Sequence, residues 1–231
     1  MLSRTYSLLL LAIVLMGSCS PIYYKPNRVN APMLTDAGQV HFCVAPNNAQ
    51  VAFSPVRHLG LIGNYAGYRH SGDYGREHAR MFEVGAGYYG LIDTSRHSDR
   101  LRFVYDVYGG FGAGRIDVRN EPGYYYPDAT LTRAFLQPGI GLRTRIFEMS
   151  FNWRVCHLSY SNLSAPPVLN GSPFDGSSYF TMEPALTLRC GYKAIKAELQ
   201  YVHAMPLSNI EWNYINNTLN VGIAVLINGY R

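Results

Sequence analysis

From Gly38 to the C-terminus the chain alternates apolar and polar residues with a period of two. That period places successive side chains on opposite faces of a strand. Ten segments carry it. Gln39–Ala45 sets Val40, Phe42 and Val44 on one face, and Gln50–Ser54 sets Val51 and Phe53. Leu59–Tyr68 reads as a strand whose faces the pattern does not distinguish. Met81–Leu91 opposes Phe82, Val84, Ala86 and Tyr88 to Glu83, Gly85, Gly87 and Tyr89. Arg102–Gly114 opposes Phe103, Tyr105, Val107 and Phe111 to Asp106, Tyr108, Gly110 and Gly112. The sixth segment sets Ala134, Leu136, Ile140 and Leu142 against Arg133, Gln137, Gly139, Gly141 and Arg143. The seventh sets Phe147, Met149, Phe151, Trp153 and Val155 against Glu148, Ser150, Asn152 and Arg154. Met182, Leu186 and Leu188 oppose Glu183, Thr187 and Arg189 in the eighth, and Ile195, Ala197, Leu199 and Tyr201 oppose Lys196, Glu198 and Gln200 in the ninth. The last aligns Leu219, Val221, Ile223, Val225 and Ile227 opposite Asn220, Gly222 and Ala224.

A β-sandwich with a wet outer face would account for the alternation alone. Three features point instead to a membrane barrel. The polar face is rich in glycine, as a narrow lumen crowded by its own side chains requires. The segments are long, matching the ~9–11 residues of a tilted transmembrane strand rather than the ~5–6 of soluble sheets. From the third connection onward, each odd connection reads as longer than the even one beside it, the alternation of long exterior loops and short turns in outer-membrane barrels. The expectation is an all-β, transmembrane, antiparallel up-and-down barrel of ten strands, with eight as the alternative. An even number also returns the C-terminus to the side on which the chain enters.

Composition agrees. Hydrophobic residues make up 48% and charged residues 15%, against ~25% charged in soluble globular domains. That balance excludes disorder. The longest apolar run, Leu8 to Met16, has nine residues, where a spanning helix needs ~20. The net charge of +5 comes without a dense Lys/Arg cluster, so no nucleic-acid partner is expected.

Arg4, the run Leu8–Met16 and the small residues Gly17 and Ser18 before Cys19 have the organisation of a signal peptide over residues 1–18. The ending resembles the bacterial lipobox, which implies a Gram-negative exported protein lipidated on Cys19. Residues 19–37, with Pro21, Pro26 and Pro32 and no period, read as an extended leader linking the lipid to a barrel over 38–231. The lipid is expected on the periplasmic side. Cys43, Cys156 and Cys190 match no zinc or redox spacing and read as small strand residues, one disulfide being permitted by the compartment.

The leader Tyr24-Lys25-Pro26-Asn27-Arg28-Val29-Asn30-Ala31-Pro32-Met33-Leu34, the run Tyr105–Gly114 and the run Asn220–Ile223 resemble the outer-membrane β-barrel lipoproteins of Bacteroidota. The resemblance spans nearly the whole mature chain. It implies a fold and a location, and no chemistry.

The polar faces bring together Asp106, Glu148, Glu183 and Glu198 with Arg133, Arg143, Arg154, Arg189 and Lys196. Buried ions must pair or stay wetted, so a paired, closed lumen is expected. Tyr124, Tyr125 and Tyr126 in the fifth connection, with Trp212 and Tyr214 in the ninth, read as a glycan-stacking surface or as an interfacial aromatic girdle. His157-Leu158-Ser159 resembles the His-x-Ser of barrel-type lipid A 3-O-deacylases. Both side chains share the outward face of Trp153, and the resemblance implies His as base and Ser as nucleophile. Tyr160 stands where that family has Asn, and Gly171 stands at its Glu, leaving Asp175 as the nearest acid. Asp73, Glu77 and His78 lie among Arg69, Arg76 and Arg80 and read as a solvated loop of mixed charge rather than a protease site. The seven histidines show no metal spacing, and neither cofactor nor metal is expected. The sequence thus points to a lipid-anchored outer-membrane barrel without catalysis, in an envelope-structural or surface-recognition role, with membrane lipids and a glycan or protein at the exterior loops as partners. The alternative is a lipid A deacylase.

Overall fold

A sheet with one apolar and one polar face must cover one of them, and here it closes on itself. The structure is a computed structural model describing residues 22–72, 75–92, 101–120, 128–161, 168–169, 172–173, 178–208 and 213–227. In chain order its strands are β1 (Ile22–Tyr24), β2 (Val40–Ala45), β3 (Asn48–Val56), β4 (Leu59–Gly72), β5 (Gly75–Ile92), β6 (Leu101–Asn120), β7 (Ala129–Thr144), β8 (Phe147–Ser161), β9 (Val168–Leu169), β10 (Ser172–Pro173), β11 (Ser178–Tyr192), β12 (Ile195–His203), β13 (Met205–Pro206), β14 (Asn213–Tyr214) and β15 (Asn217–Ile227). Ten of them, β2 to β8, β11, β12 and β15, pair antiparallel with their chain neighbours. β15 then pairs with β2, Ile227 opposite Val40. The ring is closed, so no barrel strand is left as an edge.

The apolar face is outside. Each barrel strand exposes a large apolar side chain: Phe42, Val51, Leu61, Val84, Phe111, Ile140, Trp153, Leu186, Leu199 and Val221. The opposite face is buried and polar, with Glu83, Arg133, Glu148, Arg154, Glu183, Arg189 and Glu198 turned inward. Leu59–Tyr68, ambiguous in sequence, resolves the same way: Leu59, Leu61 and Tyr65 are exposed, while Ile62 and Asn64 are buried. This inverts a soluble sandwich, whose apolar faces would meet each other.

The strand ends flanking connections 46–47, 73–74, 121–128, 162–177 and 204–216 lie at one mouth, the loop end, and those flanking 57–58, 93–100, 145–146 and 193–194 lie at the other, the turn end. The third connection differs from expectation. β4 and β5 run on until Gly72 pairs with Gly75, so Arg69, Arg76, His78 and Arg80 belong to strands rather than to a loop. Hydrogen bonding of the hairpin to β6, with His78 opposite Asp117, extends the wall there beyond the apolar segment that the alternation marks.

The leader also departs from expectation. Read from the sequence as an extended link ahead of the barrel, it lies inside the lumen. Val29, Asn30, Ala31 and Leu34 have no exposed surface, and Arg28 and Met33 are almost as deeply buried. Met33 takes a left-handed φ of 48° and Gly38 one of 76° as the chain bends into β2. Tyr24 lies at the loop end, where β1 pairs in parallel with β14. Residue 22 and residue 227 therefore stand at opposite mouths, although an even strand number suggested a common side.

Candidate functional site

The leader occupies the lumen, and its backbone is hydrogen-bonded to the wall almost residue by residue. Buried carbonyls need donors, and inward-facing side chains supply them. Arg154 donates to the Asn27 carbonyl at 3.0 Å, Gln50 to that of Arg28 at 3.1 Å and Gln200 to that of Val29 at 2.8 Å. Gln137 serves Asn30 at 2.8 Å, Arg189 serves Ala31 at 2.7 Å and Arg143 serves Met33 at 2.9 Å. The Gln200 amide oxygen accepts from the Val29 N–H at 2.8 Å. Asn30 donates to the Val51 carbonyl at 2.9 Å and to Asn64 Oδ1 at 3.0 Å.

Two ion networks hold the two halves of this contact. Near the loop end Arg133 meets Glu83 at 2.7 Å, and Arg154 meets Glu83 at 3.6 Å and Glu183 at 2.5 Å. The leader enters this network through Asn27, which donates to Glu83 at 2.5 Å and accepts from Arg133 at 2.6 Å. Tyr24 donates to Glu183 and lies under the Arg133 guanidinium, 5.4 Å from ring centroid to Cζ. Toward the turn end Arg28 pairs with Glu198, which meets Arg189 at 2.5 Å. Arg189 reaches Glu148 at 3.1 Å, and Glu148 also holds Arg143 at 3.2 Å and Lys196 at 2.7 Å.

Eight of the nine expected lumen ions are thus brought together. Asp106 is not among them: it is buried, yet it makes no ion pair among the described residues, and its Oδ1 lacks a partner there. Two members were missed. Glu83 carried a signal, since it opposes Phe82 and Val84 in a period-two segment. Arg28 carried none, because the leader has no period. The inward glycines also divide by role. A Cβ at Gly110 would collide with the Val84 carbonyl of the neighbouring strand and press on the Phe135 ring at 2.6 Å, so wall backbone as well as wall side chains crowds it. One at Gly141 would lie 2.5 Å from Met33 Sδ, and one at Gly222 would lie 2.7 Å from Arg28 Nη1. Gly141 thus makes room for the leader, and Gly222 for the leader and equally for the Val44 carbonyl at 2.7 Å.

Above the leader, at the loop end, a cavity of about 100 Å³ remains. Among the described residues its lining includes Lys25, Arg28, Arg80, Arg115 and Arg133 and no acidic residue. Lys25 stands over the Tyr68 ring at 5.6 Å. Asn48, which also lines the cavity, is buried and has neither amide atom bonded among the described residues. Arg115 is neutralised by Asp117 at 2.5 Å, and Arg28 and Arg133 by their lumen partners. A single phosphate or carboxylate group suits this charge and size.

His157 and Ser159 are half-exposed on the outward face of β8, as the alternation places them. The His157 ring packs on Phe180 at 4.8 Å between centroids. Two positions along a strand separate them by ~6.6 Å, and among the described residues no carboxylate bonds the imidazole. Asp175 lies outside the described residues, as do Cys19, Asp73, Tyr124, Tyr125, Tyr126 and Trp212. Tyr214 is half-buried and packs against the apolar cluster that includes Tyr24. Cys43 and Cys156 are buried and free, and Cys190 is exposed and free.

These features define a ten-stranded antiparallel barrel that holds the segment Tyr24–Leu34 in its lumen. No protein-family model, curated protein or solved structure matches the chain.

Proposed function

We propose that this protein is an outer-membrane barrel lipoprotein, anchored through Cys19, that does not conduct and that acts in envelope structure and surface recognition. The observation that carries this reading is the exposed apolar belt, to which every barrel strand contributes, around a buried ionic interior. In water so large an apolar surface would drive association, whereas in lipid it is the ordinary exterior of a barrel. The lumen filled by the leader supports the absence of a pore. The basic cavity at the loop end supports recognition of an anionic group, such as a phosphate or carboxylate on a surface glycan. Catalysis is not part of the proposal. The resemblance to Bacteroidota barrel lipoproteins agrees with it through the leader motif.

The test is fractionation followed by electrophoresis with and without boiling, then reconstitution in a planar bilayer. Sedimentation with outer membranes, a faster unboiled band and no steady conductance are expected. Release by carbonate as a soluble protein would overturn the membrane reading, and stable open channels would overturn the sealed lumen.

A further inference from the structure

The path of the leader determines more than the closure of the lumen. Tyr24 and Met33 lie near opposite mouths: Tyr24 contacts Glu183 and Arg133 toward the loop end, while Arg143 toward the turn end binds the Met33 carbonyl. Drawn out at ~3.1 Å per residue, Tyr24 to Leu34 would span at most about 30 Å, comparable to the thickness of the hydrocarbon core. Beyond Tyr24 the chain continues outward, since Ile22–Tyr24 pairs with Asn213–Tyr214 in the connection between β12 and β15, and Ile215 N–H donates to the Tyr24 carbonyl at 2.9 Å. Cys19 is three residues before Ile22, a reach of about 10 Å.

Building on the outer-membrane lipoprotein reading, we propose that the leader threads the barrel, so that the acyl chains on Cys19 insert in the leaflet on the loop side, opposite to the periplasmic leaflet where the short turns lie. The barrel would thereby carry its own lipid anchor across the membrane. An order of assembly follows. A folded barrel offers no route for acyl chains, because the lumen is packed with the leader itself and lined by buried ions. The wall must therefore close around a leader already in place. Its donors explain why it would: Arg154, Arg189, Arg143, Gln50, Gln137 and Gln200 all spend hydrogen bonds on leader carbonyls. In this sense the leader is a template for closure as well as a plug.

The experiment inserts one protease site between Ser20 and Pro21 of the full chain, and in a separate variant the same site within connection 162–177. Cells are fed an alkyne fatty acid, then treated with protease either intact or after permeabilisation of the outer membrane. Expected is cleavage at both positions in intact cells, with the fatty-acid label leaving the barrel on the leader fragment while the unboiled band stays fast. Cleavage of the leader site alone in intact cells supports the proposal equally. Cleavage in connection 162–177 with the leader cut only after permeabilisation would overturn threading and leave the barrel reading intact. Cleavage of neither until permeabilisation would overturn the assumed orientation, and with it the placement of the anchor in the leaflet opposite to the periplasm. Absence of label from the leader fragment would overturn Cys19 as the anchor, independently of the leader's path.

Discussion

Gln200 and Val29, 171 residues apart, are joined as two strands would be: the Gln200 side-chain amide accepts from the Val29 N–H and donates to the Val29 carbonyl, each at 2.8 Å. A wall side chain thus stands in for a neighbouring backbone, and an isolated extended segment is stable inside a tube. Gln200 is itself oriented by its 2.7 Å hydrogen bond to Thr187 Oγ1. Replacing Gln200 by Leu leaves two buried backbone groups unpaired, an expected loss of roughly 2–4 kcal/mol. The urea midpoint of the unboiled band in detergent micelles reads it. An unchanged midpoint would mean that the leader is not held by this contact.

Glu83 balances Arg133 and Arg154 together. Glu83→Ala leaves the buried Arg133 guanidinium without its carboxylate, while Arg154 keeps Glu183, and should cost about 3–5 kcal/mol, visible as a lower temperature for loss of the compact band. Exposed Asp117→Ala removes only a surface pair with Arg115 and should shift that temperature little.

Gly222 and Gly141 sit against Arg28 and Met33. Valine at Gly141 overpacks the leader, and valine at Gly222 overpacks both the leader and the Val44 carbonyl, with an expected penalty of about 1–3 kcal/mol each. Gly109→Ala is the control, because its nearest neighbour is the Phe135 carbonyl oxygen at 3.7 Å. Equal stability of all three variants in thermal melts would contradict the fit between leader and wall.

Of the three barrel cysteines, Cys190 should react promptly with a maleimide in micelles. Cys43 and Cys156, buried within the barrel, should react only after heating. Mass spectrometry of the labelled peptides decides it; rapid labelling of Cys43 would show that the leader leaves the lumen readily.

The deacylase alternative is tested directly. Lipid A from cells with and without the gene should have the same acyl-chain count, and His157→Ala should change nothing. Loss of one acyl chain that depends on both His157 and Ser159 would replace the non-catalytic reading.

For the loop-end cavity, calorimetric titration of the detergent-solubilised protein with inorganic phosphate should show saturable binding that weakens at least tenfold in the double variant Lys25→Ala, Arg80→Ala. Heat signals alike in both proteins would remove the cavity as a recognition site.

The alternation of the strands was legible because faces are assigned locally: shifting a strand by one residue would turn every apolar side chain inward. Phe82 and Val84 against Glu83, or Phe151 and Trp153 against Asn152 and Arg154, therefore announced ten strands and the ionic lumen. Strand ends were less legible. Arg69 to Arg80 lacks apolar alternation because that hairpin rises past the belt, so hydrogen bonding alone extends it. The sequence by itself determined the strands, their faces and most of the lumen's charges. Only the tertiary structure decided where the leader goes and which mouth its N-terminus reaches. The leader has no period, and its partners at Gln50, Gln137, Arg154, Arg189 and Gln200 are scattered over the chain as ordinary inward polar residues. They become a matched row of donors only when the sheet closes, because it is closure that brings distant strands around one axis and leaves the leader's carbonyls no water to bond.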